Sequence, residues 1–153
     1  MKRVVAFAVV VCLANAVTFS TSPEAQTRRV VTIASGEVDG VYYPIAGAIS
    51  RITSADKALN IRATVESSGG SVANVQRLRS GEVDFALLQN DIAYYAFNGI
   101  TLDSFVGKPV KSIGGVFSVY PELVHIVVTH ESGVKSVRDL KGKRVALGGA
   151  GSA

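Results

Sequence analysis

The strongest constraint on this chain is an alternation. Short runs rich in β-branched residues, Arg28 to Ala34 (RRVVTIA), Asn60 to Glu66 (NIRATVE) and Val83 to Leu88 (VDFALL), take turns with stretches of helical periodicity. From about Tyr42 the residues Ile45, Ala48, Ile49 and Ile52 fall on one face at spacings of three and four. A second such stretch turns Val72, Val75 and Leu78 inward and places Gly81 at a helix C-cap, and Ile92 to Phe97 reads as a short third helix. Strands that alternate with helices across short Gly/Ser loops predict parallel βαβ units, with right-handed crossovers on both faces of a sheet. The fold class is therefore α/β. Further strands are expected at Lys111 to Tyr120, at Leu123 to His130 beyond Pro121, and at Arg144 to Leu147.

The two ends add different information. Met1-Lys2-Arg3, the apolar run Val4 to Leu13 and the small-x-small site Ala14-Asn15-Ala16 have the layout of a secretory signal peptide. The run falls short of the roughly 20 residues that span a bilayer, and Asn15 interrupts it. Cleavage is expected after residue 16 or residue 25, and the mature chain is expected outside the cytoplasm. The only cysteine, Cys12, lies in that leader without a small residue before it, which disfavours a lipoprotein and leaves the mature chain free of thiol chemistry. At the other end, Gly148-Gly149-Ala150-Gly151-Ser152-Ala153 is a loop of the kind that opens a helix, and none follows. A second βαβ block that begins near Ser136 is expected to be incomplete, as in a piece of a chain about twice as long.

Composition excludes some functions. The formal charge is +4, with 48% hydrophobic and 18% charged residues, as in an ordinary globular protein. Basic residues are scattered rather than interleaved with aromatics, so nucleic-acid binding is not expected. His125 sits in an apolar strand pattern as a core histidine would, and His130 is five residues on, without an H-E-x-x-H pattern or a cysteine partner for zinc. No G-x-S-x-G elbow, phosphate-cradling loop or dinucleotide fingerprint occurs. No catalytic set, metal or cofactor is expected.

Ligands of open parallel sheets gather at the carboxyl ends of the strands, beside the helix N-termini. Three loops fall there: Ser35 to Val41, Ser67 to Ser71, and Gln89 to Asp91. Gly69 and Gly70 let backbone approach a ligand, and Ser68 or Ser71 is placed to cap the next helix, whose first amides are donors for a carboxylate. A plain capped turn explains the same residues. One of Tyr42 and Tyr43 is expected to face the cleft. Gln89 can aim at a ligand, whereas Asp91 reads equally as an N-cap or as the partner of a ligand ammonium. Tyr94 and Tyr95 read as packing.

Several phrases occur together in order: Gly40-Val41-Tyr42-Tyr43-Pro44, Ser67-Ser68-Gly69-Gly70-Ser71-Val72-Ala73-Asn74, Gln89-Asn90-Asp91-Ile92-Ala93-Tyr94-Tyr95, Tyr120-Pro121-Glu122, and Asp139-Leu140-Lys141-Gly142-Lys143-Arg144-Val145-Ala146. From about residue 30 onward the chain resembles the TAXI family, the solute receptors of tripartite ATP-independent periplasmic (TRAP) transporters. The resemblance implies a class II-like periplasmic-binding-protein fold of two α/β lobes closing on a small solute. Its implied solute is a glutamate-like amino acid or small carboxylate. Its implied partners are integral-membrane subunits driven by an ion gradient, with the receptor itself a monomer. It also implies a first lobe over 26–132 and only the start of a second over 133–153. To the ligand-binding set Tyr42, Tyr43, Ser67, Gly69, Gly70, Ser71, Gln89 and Asp91 it adds Gly40, Val41 and Asn74, with Tyr120 and Glu122 near an inter-lobe crossing. The receptor of an ATP-driven importer, and an enzyme on a related two-lobed fold, are the alternatives.

Overall fold

The computed structural model describes residues 27–149, 151 and 152; the leader, with its cleavage sites and Cys12, lies outside the described residues. The elements follow the order β1 (Arg29–Ala34), α1 (Tyr42–Ala55), β2 (Ile61–Glu66), α2 (Ser71–Ser80), β3 (Phe85–Ala86) and α3 (Asn90–Asn98). The three strands form one parallel sheet in the order β2-β1-β3. The chain crosses over α1 to reach the neighbouring β2, then back over α2 to the far side of β1. This is the parallel α/β arrangement that the alternating pattern predicts. Register runs from Arg29 opposite Ile61 to Ala34 opposite Glu66, and Ile33 and Ala34 face Phe85 and Ala86.

Two apolar clusters hold these layers together. Ile33, Ala46, Ala63 and Leu87 are buried between the sheet and α1, with Tyr42, Ile45, Ile49, Ile61 and Val65 packed around them. The inward face of α1 is thus Tyr42, Ile45, Ala46 and Ile49, while Ile52, expected inside, is exposed. One more helical turn carries Ile52 past the edge of a sheet whose neighbouring strand is only six residues long. The second cluster joins α2 and α3 through Val75, Ile92 and Ala96 to Phe105 and Val110. Leu102 and Ile113 flank it. At the end of α3 a set of tight turns folds residues 99–110 back, with Gly107 N–H on Gly99 O and Val110 N–H on Ala96 O. Each large side chain buried here contributes about 1.5–3 kcal/mol.

The strand expected over Val83 to Leu88 is ladder-paired only at Phe85–Ala86. Asp84 explains the shortening. Its carboxylate accepts the Thr32 N–H at 2.8 Å, taking the amide that a backbone carbonyl of a longer strand would take. Flanking bonds from Asp84 N–H to Thr32 O and from Leu87 N–H to Ala34 O still hold both sides of the strand to β1. The expected strands at 111–120, 123–130 and 144–147 do not form among the described residues. This stretch instead carries two short 3-10 turns, His130–Ser132 and Val137–Leu140. The apolar pattern is present, but no neighbouring strand accepts or donates its backbone hydrogen bonds, and a strand exists only as one side of a ladder. His125, expected in a core, is exposed for the same reason.

Among the described residues no helix is long and apolar enough to cross a membrane.

Candidate functional site

The carboxyl ends of all three strands point toward one cavity of about 510 Å³. Gly36, Glu37, Gly40, Val41 and Tyr42 line it from the loop after β1 and the start of α1. Gly69, Gly70 and Ser71 come from the loop after β2, and Gln89 from the loop after β3. The fourth side is closed by Tyr120 to Leu123 and by Gly148, Gly149 and Ser152. Loops collect here because parallel strands all end on the same edge.

Beneath the cavity the three loops are tied to each other. Ser35, fully buried at the end of β1, donates its hydroxyl to Glu66 O at 2.8 Å. Ser68 donates to Ser35 O at 3.2 Å and accepts the Gly70 N–H at 3.1 Å. Asn74, also fully buried, donates from Nδ2 to Ser35 O at 2.6 Å and to Leu87 O at 2.9 Å. Asn74 therefore pins the ends of β1 and β3 together from below and does not line the cavity. Arg77 ties the outer rim: its guanidinium pairs with Glu66 at the end of β2 and with Glu82 before β3. Those two hydrogen-bonded carboxylates, Glu66 first, push its pKa up.

The start of α2 differs from the expected capped turn. Neither Ser68 nor Ser71 caps it; the N-cap is Gly70, with φ of 118°, a conformation that a residue with a Cβ rarely adopts. Ser71, the first helical residue, instead accepts the Gln89 N–H at 3.0 Å and so joins α2 to the loop after β3. The second and third amides of α2 are not free donors either. Val72 N–H and Ala73 N–H both donate to Gly151 O, at 3.1 and 3.2 Å. A backbone carbonyl thus occupies the position where the helix N-terminus attracts negative charge.

The polar centre of the cavity is Glu122. Tyr120 donates its hydroxyl to Glu122 Oε1 at 2.8 Å, and Tyr42 donates to Oε2 at 3.2 Å. The Tyr42 oxygen also lies 3.5 Å from Ser71 Oγ. Burial, reinforced by the Glu122 carboxylate, pushes the Tyr42 hydroxyl up to about 12, and burial followed by the same carboxylate pushes Tyr120 higher still. Both phenols therefore stay protonated donors across the physiological range. Two groups far apart in sequence, the first turn of α1 and the segment around Pro121, meet on this one carboxylate.

Of the residues singled out from the sequence, Gly40, Val41, Tyr42, Gly69, Gly70, Ser71, Gln89, Tyr120 and Glu122 line the cavity. Tyr43 is half-buried on α1 away from the lining, and Ser67 is exposed beside it. Asp91 sits in the first turn of α3, where its Oδ1 accepts the Ile92 N–H at 2.8 Å, and it too stays outside the lining. Tyr95 packs on the α2–α3 cluster, while Tyr94 stands exposed and edge-on to it. Glu37 was missed. Its signal was an acidic residue in the loop at the carboxyl end of the first strand. Among the described residues there is no grouping of three or more His, Cys, Asp or Glu fit to hold a metal.

Residues 33–153 match the NMT1-like family. The chain belongs to the NMT1-like family. This is a periplasmic-binding-protein-like family, so the three-stranded sheet is part of an α/β domain of that kind. Membership makes this chain a solute-binding protein in the general sense, with a small-molecule ligand and a transporter as partner. The span that matches the NMT1-like family contains every residue lining the cavity.

Proposed function

We propose that this NMT1-like chain is the periplasmic receptor of a TRAP-type secondary transporter. It captures a small carboxylate or amino acid such as glutamate and presents it to integral-membrane subunits, without chemical turnover. The observation that carries this reading is the convergence of the loops after β1, β2 and β3 with Tyr120 and Glu122 on one cavity. Backbone glycines, hydroxyls, one amide side chain and carboxylates surround it, a mixture suited to orienting a small polar solute. The order of the Gly-Val-Tyr-Tyr-Pro, Ser-Gly-Gly-Ser and Gln-x-Asp-x-Ala-Tyr-Tyr phrases supports the TRAP-type assignment, and the residue 1–25 leader pattern supports export.

The test is titration of the purified full chain with glutamate, glutamine and small dicarboxylates, followed by NMR so that weak binding is also seen. Saturable shifts at Gly69, Gly70 and Gln89, with every solute recovered unchanged, are expected. Absence of saturable binding sinks the receptor reading, and appearance of a product replaces it with an enzyme. Uptake in reconstituted vesicles that follows an ion gradient rather than ATP separates the TRAP-type partner from an ATP-driven importer.

A further inference from the structure

Among the described residues the sheet ends at β2, which pairs with β1 on one side and with no strand on the other. Arg29 N–H donates to Asn60 O and Ser35 N–H to Glu66 O, so in this parallel register the backbone groups of Arg62, Thr64 and Glu66 face β1. Those of Ile61, Ala63 and Val65 face outward. A free strand edge is a template for pairing with another chain. At its centre this one is covered. Ser54 Oγ accepts the Ala63 N–H at 2.9 Å, and the Ser50 hydroxyl donates to Ala63 O at 2.7 Å. The two serines stand four residues apart on α1, so one helix face satisfies both groups of a single rung. A hydroxyl within a helix often donates back to the carbonyl four residues earlier, as Thr53 does to Ile49 O. Ser50 reaches across to β2 instead. Among the described residues the outward groups of Ile61 and Val65 have no such partner.

We propose that Ser50 and Ser54 guard the edge of β2 against strand addition by a second copy of this chain. The strand that a copy offers is residues 123–128 (LVHIVV), which carry no carboxylate, lysine or arginine. Among the described residues that stretch makes no backbone–backbone hydrogen bond, and its Val124 and Val127 are 93% and 90% exposed. To pair with β2 it must bond Ala63, whose donor and acceptor are both already engaged. The central rung therefore gains nothing, since two serine hydrogen bonds are lost for two backbone ones. The rungs at Ile61 and Val65 are then left four residues apart, too sparse to make a ladder by themselves. The guard lies outside the cavity and acts whatever the solute is.

Hydrogen exchange and sedimentation test the guard. In the full chain the Ala63 amide is expected to exchange about tenfold or more slowly than the Ile61 and Val65 amides, although all three face the free edge. The full chain is expected to sediment as a monomer. Ser50→Ala combined with Ser54→Ala keeps α1, because alanine is the best helix former, and frees both groups of Ala63. This double variant is expected to sediment at about twice the monomer mass at about 100 μM. Adding Val127→Pro, which cannot donate to a ladder, is expected to return it to a monomer. Circular dichroism melts confirm that the variants fold; if the double variant does not, the exchange rates of the unaltered chain decide alone. Ala63 exchanging as fast as Ile61 and Val65, a folded double variant that stays monomeric, or association that survives Val127→Pro overturns the inference.

Discussion

Residues 29–110 and residues 111–149 both carry apolar, strand-like runs, yet they behave in opposite ways. In the first region every strand has a neighbour, and Val75 and Phe105 are fully buried. In the second, Val124 is 93% exposed and Val127 90% exposed, and among the described residues the backbone from Lys111 to Val128 makes no backbone–backbone hydrogen bond. The difference teaches that hydrophobic pattern sets only what a segment is able to become. A ladder partner within reach decides what it is. The exception inside the second region is Tyr120 to Leu123, which is anchored through Glu122 to Tyr42 and so belongs functionally with the first.

The sharpest way to break this contrast is to delete side chains on both sides of it. Phe105→Ala empties a site with no exposure, in contact with Val75, Ile92 and Ala96, and is expected to cost about 4 kcal/mol in urea unfolding. Val124→Ala trims a side chain that is already exposed and is expected to stay within about 0.5 kcal/mol. A cost above about 1.5 kcal/mol for Val124→Ala would show that the second region has a core, and the contrast would fall.

A smaller effect sharpens the boundary between scaffold and site. Asn74→Ala removes the donors to Ser35 O and Leu87 O, leaving two carbonyls under the cavity without these partners. The expected cost is about 2–3 kcal/mol, with the cavity residues losing their NMR dispersion before α1 does. Among the described residues Asn74 Oδ1 is itself buried without a hydrogen-bond partner, so none of the side chain's value is expected to come from that atom. A variant as stable as the parent would show that the strand ends are held by Ser35 and Ser68 alone.

These particulars show how far the sequence is readable. The βαβ order was legible because β-branched runs and three–four spacing are local signals, and Gly81 marked its helix end correctly, with φ of 74°. Asn74 was noticed for its place in a phrase but not for its role, since a buried tie between two strand ends is a relation across 39 and 13 positions. The cap of α2 was misplaced for a related reason. Ser71 had a better partner in the Gln89 amide, and a non-local hydrogen bond overrode the local preference. The meeting of Tyr42 with Glu122 spans 80 positions, and no periodicity encodes it. The expected strands beyond Lys111 failed because propensity is silent about partners.

The smallest expected effect falls in the second region and tests whether its order is purely local. Asp139 Oδ2 accepts hydrogen bonds from the Lys135 N–H at 3.0 Å, the Ser136 N–H at 2.8 Å and the Ser136 hydroxyl at 3.0 Å. The Lys135 amide first, then the Ser136 hydroxyl and amide, hold its carboxyl below the ordinary 3.8. A pKa lowered on folding means that the unfolded segment binds the proton more readily. The contribution is therefore fully present above 3.8 and is lost as pH falls through the lower folded value. On acidification the Ser136 and Lys135 amide resonances are expected to move together with a midpoint below 3.8, as the Val137–Leu140 turn loosens. Asp139→Asn should abolish that titration, because the amide still accepts but no longer ionises. The Val31 and Ala63 amides of β1 and β2, away from the Asp84 carboxylate that Thr32 donates to and from Glu66, are expected to stay still through the same range, since no group of that turn hydrogen-bonds to them among the described residues. A concerted shift of sheet and turn would show that the two regions are coupled, and would replace the contrast between them with a single cooperative unit.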